Sequence, residues 1–171
     1  LERVALPVDA TKLEVAMASH VFSGLSKALR TSTPDEVLGE VEKSQLRGRG
    51  GAGFPTATKW RFTAANAKRA DQAFVVCNAD EGDPGSYIDK YLMERDPFAV
   101  IEGVAIAGYA IGATHGYIYV RSEYPDCAPV LRKAVEDARR AGWLGEKIAG
   151  SAFSFDSSVV EGAGSYVCGE E

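Results

Sequence analysis

The sequence predicts an α/β fold in which a small parallel sheet is flanked by helices. Three short apolar runs have the composition of buried strands, and they lie at residues 73–78, 117–121 and 153–160. Helices are expected between them, one that ends near Gly112 and one from about Pro129 to Gly142. Because strands that alternate with helices form right-handed crossovers, this order predicts a parallel sheet.

The first helix of the α/β part is predicted by the residues at its start. Thr33 is an N-cap, Pro34 suits the first helical position, and Glu36 completes a capping box. One apolar face then continues to about Ser44. We therefore divide the chain into an N-terminal helical extension, residues 1–30, and an α/β domain, residues 31–171.

The weakly charged stretch at residues 98–120 raises the question of a membrane span. Gly108 and Gly112 have the spacing of a membrane helix-dimer motif. However, Glu102 and His115 lie inside the stretch, and its helical part is short for a bilayer. We expect a buried helix with a small-residue face, followed by a buried strand, and no membrane span.

Composition excludes several classes of protein. The 171 residues are 46% hydrophobic and 25% charged, which are ordinary values for a globular protein, and the net charge of -5 argues against a nucleic-acid binder. Three cysteines without a Cys-x-x-Cys pair encode neither a disulfide framework nor a cysteine-rich metal site. With no visible secretory signal, a cytoplasmic location is expected.

The net charge conceals two adjacent segments of opposite sign. Residues 43–69 contain seven basic and no acidic side chains, whereas residues 70–89 contain five acidic and no basic ones. A basic segment beside an acidic one suits a ligand that has a phosphate at one end and a sugar or amide at the other.

The glycine loop, residues 47–56, lies within the basic segment. Its glycines permit close approach of the backbone to a ligand, and Arg47, Arg49 and Lys59 supply positive charge for a phosphate. It matches G-x-G-x-x-G by letter but follows a predicted helix, so it is a weak dinucleotide fingerprint. A solvated linker and an RNA-binding arginine–glycine segment are alternatives, although Phe54 and Pro55 are unusual in a linker.

The acidic loop, residues 78–85, holds three carboxylates and an amide directly after the first strand. Ligands of parallel sheets bind beyond the carboxyl ends of the strands, which favours a polar small-molecule site here. An ordinary acidic turn and a divalent-metal site are alternatives. The register of a calcium loop fails, because Asp83 stands where glycine is needed and Asp89 where glutamate is needed.

The last run, residues 162–171, combines small residues, an aromatic residue and two carboxylates, and a solvated tail is its alternative interpretation. His20 and His115 lie outside all three segments, so no histidine-based catalysis is expected. We interpret Cys168 as a small buried residue. No catalytic side chain and no metal ligand are assigned.

Together these three segments resemble the signatures of the NADH-oxidising flavoprotein subunit of respiratory complex I. The matching letters are RGRGGAGFPT at 47–56 followed by Lys59-Trp60, VCNADEGDPG at 76–85, and GAGSYVCGEE at 162–171. Similar modules occur in the diaphorase subunits of NAD-reducing hydrogenases and the beta subunits of NAD-dependent formate dehydrogenases. The resemblance extends from about Phe22 to Glu171 and keeps the motifs in order.

This resemblance implies a Rossmann-like domain in which NADH stacks on bound FMN and hydride passes between them. The residues expected around FMN are Gly48, Arg49, Gly50, Gly51, Lys59, Asn78, Asp80, Tyr166, Gly169 and Glu170. The residues expected around NAD(H) are Phe54, Phe62, Glu81, Asp83 and Glu171. Asp83 occupies a position where many family members have Glu, which loosens that contact.

The resemblance also implies parts that this sequence lacks. Family members continue into a ubiquitin-like domain and a helical domain that holds a four-iron cluster. We therefore expect a chain truncated before those domains, which by itself binds FMN weakly and passes no electrons onward. The implied partners are NADH, a thioredoxin-like subunit with a two-iron cluster, and other subunits of an electron-transfer complex, peripheral to a membrane.

Two functions follow from these expectations. The first is an NADH:acceptor oxidoreductase module that transfers hydride between NAD(H) and FMN. It would feed iron–sulfur clusters of complex I, an NAD-reducing hydrogenase or an NAD-dependent formate dehydrogenase. The alternative is a non-catalytic nucleotide-binding or subunit-assembly module of the same fold.

Overall fold

Helices and a three-stranded parallel sheet form the protein in a computed structural model, which describes residues 3–5, 7–70, 72–83 and 85–164. The strand order is β1-β2-β3. The elements are α1 (Leu13–Ala18), α2 (Ser23–Thr31), α3 (Pro34–Lys43), α4 (Thr56–Ala67), β1 (Phe74–Ala79), α5 (Ile88–Arg95), α6 (Pro97–Ile111), β2 (His115–Val120), α7 (Cys127–Arg140) and β3 (Asp156–Glu161). The α/β prediction is confirmed. The expectations for Tyr166, Cys168, Gly169, Glu170 and Glu171 lie outside the described residues.

Helix α3 begins where the sequence places it. The Glu36 N–H donates to the Thr33 hydroxyl oxygen at 3.3 Å, and the Thr33 N–H donates to Glu36 Oε2 at 2.7 Å. This reciprocal pair is a capping box, and it satisfies two backbone N–H groups at the helix start. Local sequence alone was sufficient to predict this boundary.

The stretch at 98–120 forms the buried helix α6 and the strand β2, as expected. A Cβ on Gly108 would collide with the ring of Phe155, and one on Gly116 would lie 2.6 Å from Val104 Cγ1. Glycine at these positions therefore lets the helix lie close against the sheet. Among the residues that the structure describes, none of the helices has both the length and the apolar character that crossing a bilayer requires.

Two helices differ from the expectation. The single helix expected before Gly112 is divided into α5 and α6 at Asp96, whose φ of -142° is not helical. The cause is Pro97, because a proline disfavours the helical conformation of the residue before it. Helix α4 follows the glycine loop directly, and the sequence did not predict it because its apolar residues do not form one clear face.

The N-terminal helices pack on the same core as the sheet. The ring of Phe22 stacks on Trp143 with a centroid distance of 4.7 Å, and the Leu25 N–H donates to Glu102 Oε1 at 3.0 Å. Phe22 and Leu25 are fully buried. The division of the chain at residue 30 stays a prediction.

The three strands end at one edge of the sheet. Ala79, Val120 and Glu161 are in register, so the loops that follow β1, β2 and β3 leave from the same edge. Strand β3 begins three residues later than expected, because Phe155 pairs with Gly145 in an isolated antiparallel bridge. This edge is where ligands of parallel α/β sheets bind.

Candidate functional site

Backbone pairing closes the glycine loop at its base. The Gly48 N–H donates to the Phe54 carbonyl at 2.9 Å, and the Thr56 N–H donates to the Leu46 carbonyl at 3.0 Å. Arg47 adds a third link, because its Nη1 donates to the Gly53 carbonyl at 2.9 Å. The loop is thus a fixed turn, which does not suit the linker interpretation.

The tip of the glycine loop faces open space. Gly51 and Gly53 have φ values of +105° and +59°, which L side chains rarely adopt. A Cβ placed on Gly50, Gly51 or Gly53 would have nothing within 4 Å. A ligand can therefore approach the backbone of this tip without displacing a side chain.

Helix α4 begins immediately after the loop and changes the interpretation of the glycines. The first N–H groups of a helix and its dipole favour an anion at the N-terminus. Arg49 and Lys59 are exposed, and Lys59 lies in the first turn of α4. The loop, the helix start and the two basic side chains together form a site suited to a phosphate.

A cavity of about 390 Å³ lies between the glycine loop, α4 and β1. Its floor comprises Trp60 and the first half of β1. The lining residues are Gly48, Gly50, Ala52, Gly53, Phe54, Thr56, Lys59, Trp60, Thr63, Phe74, Val75, Val76, Ala107 and Ile111. The cavity thus brings together three of the residues expected at FMN, which are Gly48, Gly50 and Lys59.

A second cavity of about 500 Å³ adjoins the first through Lys59 and Phe54, and it is also lined by Phe62, Thr63 and Asn66. Phe54 and Phe62, the two aromatic residues expected at NAD(H), are 49% and 62% exposed. Exposed aromatic side chains in a concave site are suited to stacking on a planar ring.

The acidic loop continues from β1 at the ligand-binding edge of the sheet. The Asp80 N–H donates to Asn78 Oδ1 at 3.0 Å, and the Ser86 N–H donates to the Asp83 carbonyl at 3.1 Å. Asp83 is exposed. Val76 in the first cavity is four residues before Asp80, which is about 13 Å along an extended strand. The expected FMN residues thus form a track along β1.

Glu81 differs from its neighbours in the acidic loop, because its carboxylate is turned inward and only 8% of the residue is exposed. Oε1 accepts from the Ser86 hydroxyl at 2.9 Å and from the Asp89 N–H at 3.0 Å. Oε2 accepts from the Lys90 N–H at 3.1 Å and from the Tyr124 hydroxyl at 3.2 Å. Glu81 therefore caps the first turn of α5.

Two opposing effects set the pKa of Glu81. Burial raises the pKa of this carboxyl, but the hydrogen bonds from the Asp89 and Lys90 N–H groups and from the Ser86 and Tyr124 hydroxyls together lower it by more. The net result is a pKa below the ordinary value for glutamate. Glu81 is therefore ionised at neutral pH, and its charge is balanced by donors of the protein itself.

Sequence reasoning missed two residues that the structure brings to this loop. Arg121 and Tyr124 follow β2, and the Arg121 guanidinium donates to the Glu81 carbonyl while lying 5.2 Å from the centre of the Tyr124 ring. Tyr124 is 7% exposed. The available signal was their place directly after a strand that ends at the same edge as β1.

The third expected segment begins at this edge, beside β2. The Gly162 N–H donates to the Val120 carbonyl at 2.7 Å, and a Cβ on Gly162 would lie 2.6 Å from the Tyr119 hydroxyl. Glycine is thus required for the chain to leave β3 in this direction. Tyr166, Gly169, Glu170 and Glu171 lie outside the described residues.

Thiol and metal chemistry are not evident around the site. Burial and the nearby Asp89 raise the pKa of Cys77 to about 11, so this β1 thiol is protonated at neutral pH. Within residues 3–5, 7–70, 72–83 and 85–164, no group of three or more His, Cys, Asp or Glu is placed to hold a metal ion.

Comparison with known proteins identifies the family. The Nuo51 FMN-binding domain matches residues 41–171, which is most of the chain. The chain belongs to the Nuo51 FMN-binding domain family. Among curated proteins, the NADP-reducing hydrogenase subunit HndC of Solidesulfovibrio fructosivorans is 51% identical over 164 residues, which are 96% of this chain and 33% of that protein. An NADH-quinone oxidoreductase subunit of Aquifex aeolicus is 49% identical over 150 residues, covering 88% and 34% respectively.

Solved structures place this Nuo51-type domain in the same fold as a known enzyme. The crystal structure of an NAD+-reducing [NiFe]-hydrogenase in the air-oxidized state matches with a TM-score of 0.68 and 43% identity. That match covers 81% of this chain and 22% of the hydrogenase chain. The chain thus spans about a third of the length of the curated relatives and less of the solved structure.

Proposed function

We propose that the protein is the FMN- and NADH-binding part of an NADH:acceptor oxidoreductase subunit. One observation carries the proposal: an open glycine tip leads into the N-terminus of α4, with Lys59 exposed between two cavities. Family membership names FMN, and the names of the relatives point to nicotinamide nucleotides.

The residues fit the groups that they would hold. The glycine tip, Arg49 and Lys59 would bind the FMN phosphate and ribityl chain, because open N–H groups and cations suit a phosphate. Asn78 and Asp80 would meet the flavin further along β1. Phe54 and Phe62 would stack on the NADH adenine, and the exposed Asp83 would meet its ribose or nicotinamide.

Bound FMN supplies the chemistry of hydride acceptance from NADH. The chain's own residues align the two planar systems and hold their charges, for which no general acid or base is needed. From FMN, electrons would pass to iron–sulfur clusters of a complex such as complex I, an NAD-reducing hydrogenase or an NAD-dependent formate dehydrogenase, through partners that include a thioredoxin-like subunit. This module would lie on the cytoplasmic side, peripheral to such a complex.

Titration with FMN and then NADH tests the proposal. Trp60 lines the first cavity, so FMN should quench its fluorescence, and Trp60→Phe should remove most of this quenching. Trp143→Phe is the matched control, because that indole stacks on Phe22 in the core. NADH should then bleach the flavin absorbance.

Two further results decide between the candidate functions. Lys59→Ala should weaken FMN binding about 10-fold, whereas Lys68→Ala, at the other end of α4, should leave it unchanged. If FMN and NADH both bind but the flavin stays oxidised, the non-catalytic module is the better description. If neither binds to the full-length protein, the proposal is wrong.

A further inference from the structure

The Glu81 carboxylate is fully occupied by donors from within the protein. A carboxylate has about four lone-pair positions for hydrogen bonds. Glu81 receives four donors, which are the hydroxyls of Ser86 and Tyr124 and the N–H groups of Asp89 and Lys90. An additional hydrogen bond from a nucleotide would have to displace one of them.

These bonds join three separate parts of the chain. Glu81 lies in the loop after β1, Asp89 and Lys90 lie in the first turn of α5, and Tyr124 lies in the loop after β2. The Tyr124 hydroxyl also donates toward the Ser86 carbonyl at 3.1 Å. Arg121 donates to the Glu81 backbone carbonyl and packs on the Tyr124 ring. The side chain and the backbone of Glu81 are thus both fixed by the loop after β2.

Fixing Glu81 determines where the neighbouring carboxylates point. Asp80 precedes Glu81 and is half-buried, whereas Asp83 follows two residues later and is exposed. The Asp83 carbonyl accepts from the Ser86 N–H, and the Ser86 hydroxyl donates to Glu81. Any loss of the Glu81 contacts therefore changes the turn that presents Asp83.

We propose that Glu81, Tyr124 and Arg121 form a positioning cluster that sets the conformation of the acidic loop and thereby its affinity for NADH, without a hydrogen bond from Glu81 to the nucleotide. This inference rests on the proposed function and deepens it. It gives Glu81 a role through Asp83 and the loop, in place of the direct contact that the family resemblance implies.

The test is a double-mutant cycle in the full-length protein carrying FMN, assayed with NADH and ferricyanide. Tyr124→Phe and Glu81→Gln should each raise KM for NADH about 5- to 10-fold, because each removes one or more hydrogen bonds to a charged group, and leave kcat within about 2-fold. Tyr91→Phe is the matched control, since that ring is 46% exposed on α5, and it should change neither parameter.

The double variant separates positioning from direct contact. If the two residues act as one unit, Glu81→Gln combined with Tyr124→Phe should raise KM no more than the stronger single variant does. Hydrogen exchange should also become faster at the Asp89 and Lys90 amides in both single variants and stay unchanged in Tyr91→Phe. Should Glu81→Gln fail to fold, Arg121→Lys takes its place in the cycle.

Three results would overturn the inference. Additive effects on KM would mean that Glu81 meets NADH independently of Tyr124. A lower melting temperature with an unchanged KM would mean that the cluster serves stability alone. A wild-type protein that binds neither FMN nor NADH would overturn the proposed function, and the positioning role with it, which is distinguishable because it needs no variant.

Discussion

The two loops beside the candidate site handle their charges in opposite ways. The glycine loop leaves Arg49 and Lys59 exposed and its tip without neighbours within 4 Å of an added Cβ. The acidic loop buries one of its carboxylates, Glu81, and surrounds it with four hydrogen-bond donors.

This difference shows that like charge in a loop is not by itself evidence of a ligand. The density of carboxylates at residues 78–85 suggested that a ligand or partner was needed to offset repulsion. Arg121, Tyr124 and the start of α5 provide much of that compensation internally. The glycine loop has less internal compensation, so it is the stronger indication of a bound anion.

The largest expected effect concerns Glu81→Ala. This change leaves the buried Tyr124 hydroxyl and the first N–H groups of α5 without their acceptor, so it should lower the free energy of unfolding by about 3 kcal/mol. Urea unfolding followed by circular dichroism measures this value. Asp83→Ala is the control, and an equal loss in both variants would contradict the contrast between the two carboxylates.

A second prediction concerns acid. Because the folded pKa of Glu81 lies below its unfolded value near 4.5, its stabilising contribution is complete above that value and is lost as pH falls through the folded pKa. The unfolding free energy of Glu81→Gln should therefore fall less than that of wild type when pH is lowered below about 5. Parallel pH profiles for the two proteins would show that the Glu81 interactions do not depend on its charge.

The third prediction compares two glycines at the tip of the glycine loop. Gly51 has a φ of +105°, so Gly51→Ala should cost about 1 to 2 kcal/mol of stability. Gly50 is not among the positive-φ glycines, and a Cβ there meets nothing, so Gly50→Ala should be within about 0.5 kcal/mol of wild type. Thermal unfolding of both variants measures the difference, and equal melting temperatures would mean that the tip relaxes freely.

The smallest effect is expected for Asp83→Asn. The side chain is exposed, so the free energy of unfolding should change by less than about 0.5 kcal/mol. Its effect should instead appear in NADH affinity, measured by equilibrium titration of the full-length protein. A large loss of stability would show that Asp83, like Glu81, has a structural role.

Several parts of the fold could be predicted because their causes are local. Thr33 and Glu36 form a capping box within four residues of chain, and Pro34 supports the same helix start. Apolar runs predicted the three strands, and glycines at 108 and 116 predicted the close packing of α6. Each of these signals depends on neighbours in sequence or on a single small residue.

Other parts were not predictable because their causes are distant in sequence. Helix α4 has no clear apolar face, and its position depends on packing against α3 and α6. Phe22 adopts a φ of +63° at the start of α2, where its ring stacks on Trp143, more than a hundred residues away. Such a conformation is favourable only when tertiary contacts compensate for it.

The sequence by itself determined the fold class, the order of the three motifs and the residue types that a phosphate and a planar ring require. The tertiary structure alone decided which carboxylate is available. Glu81 and Asp83 are two residues apart and chemically alike, yet Glu81 is buried against Tyr124 and Asp83 is exposed. The physical reason is that Tyr124 and Arg121, some forty residues later, reach the acidic loop only because β1 and β2 pair in parallel and end at the same edge.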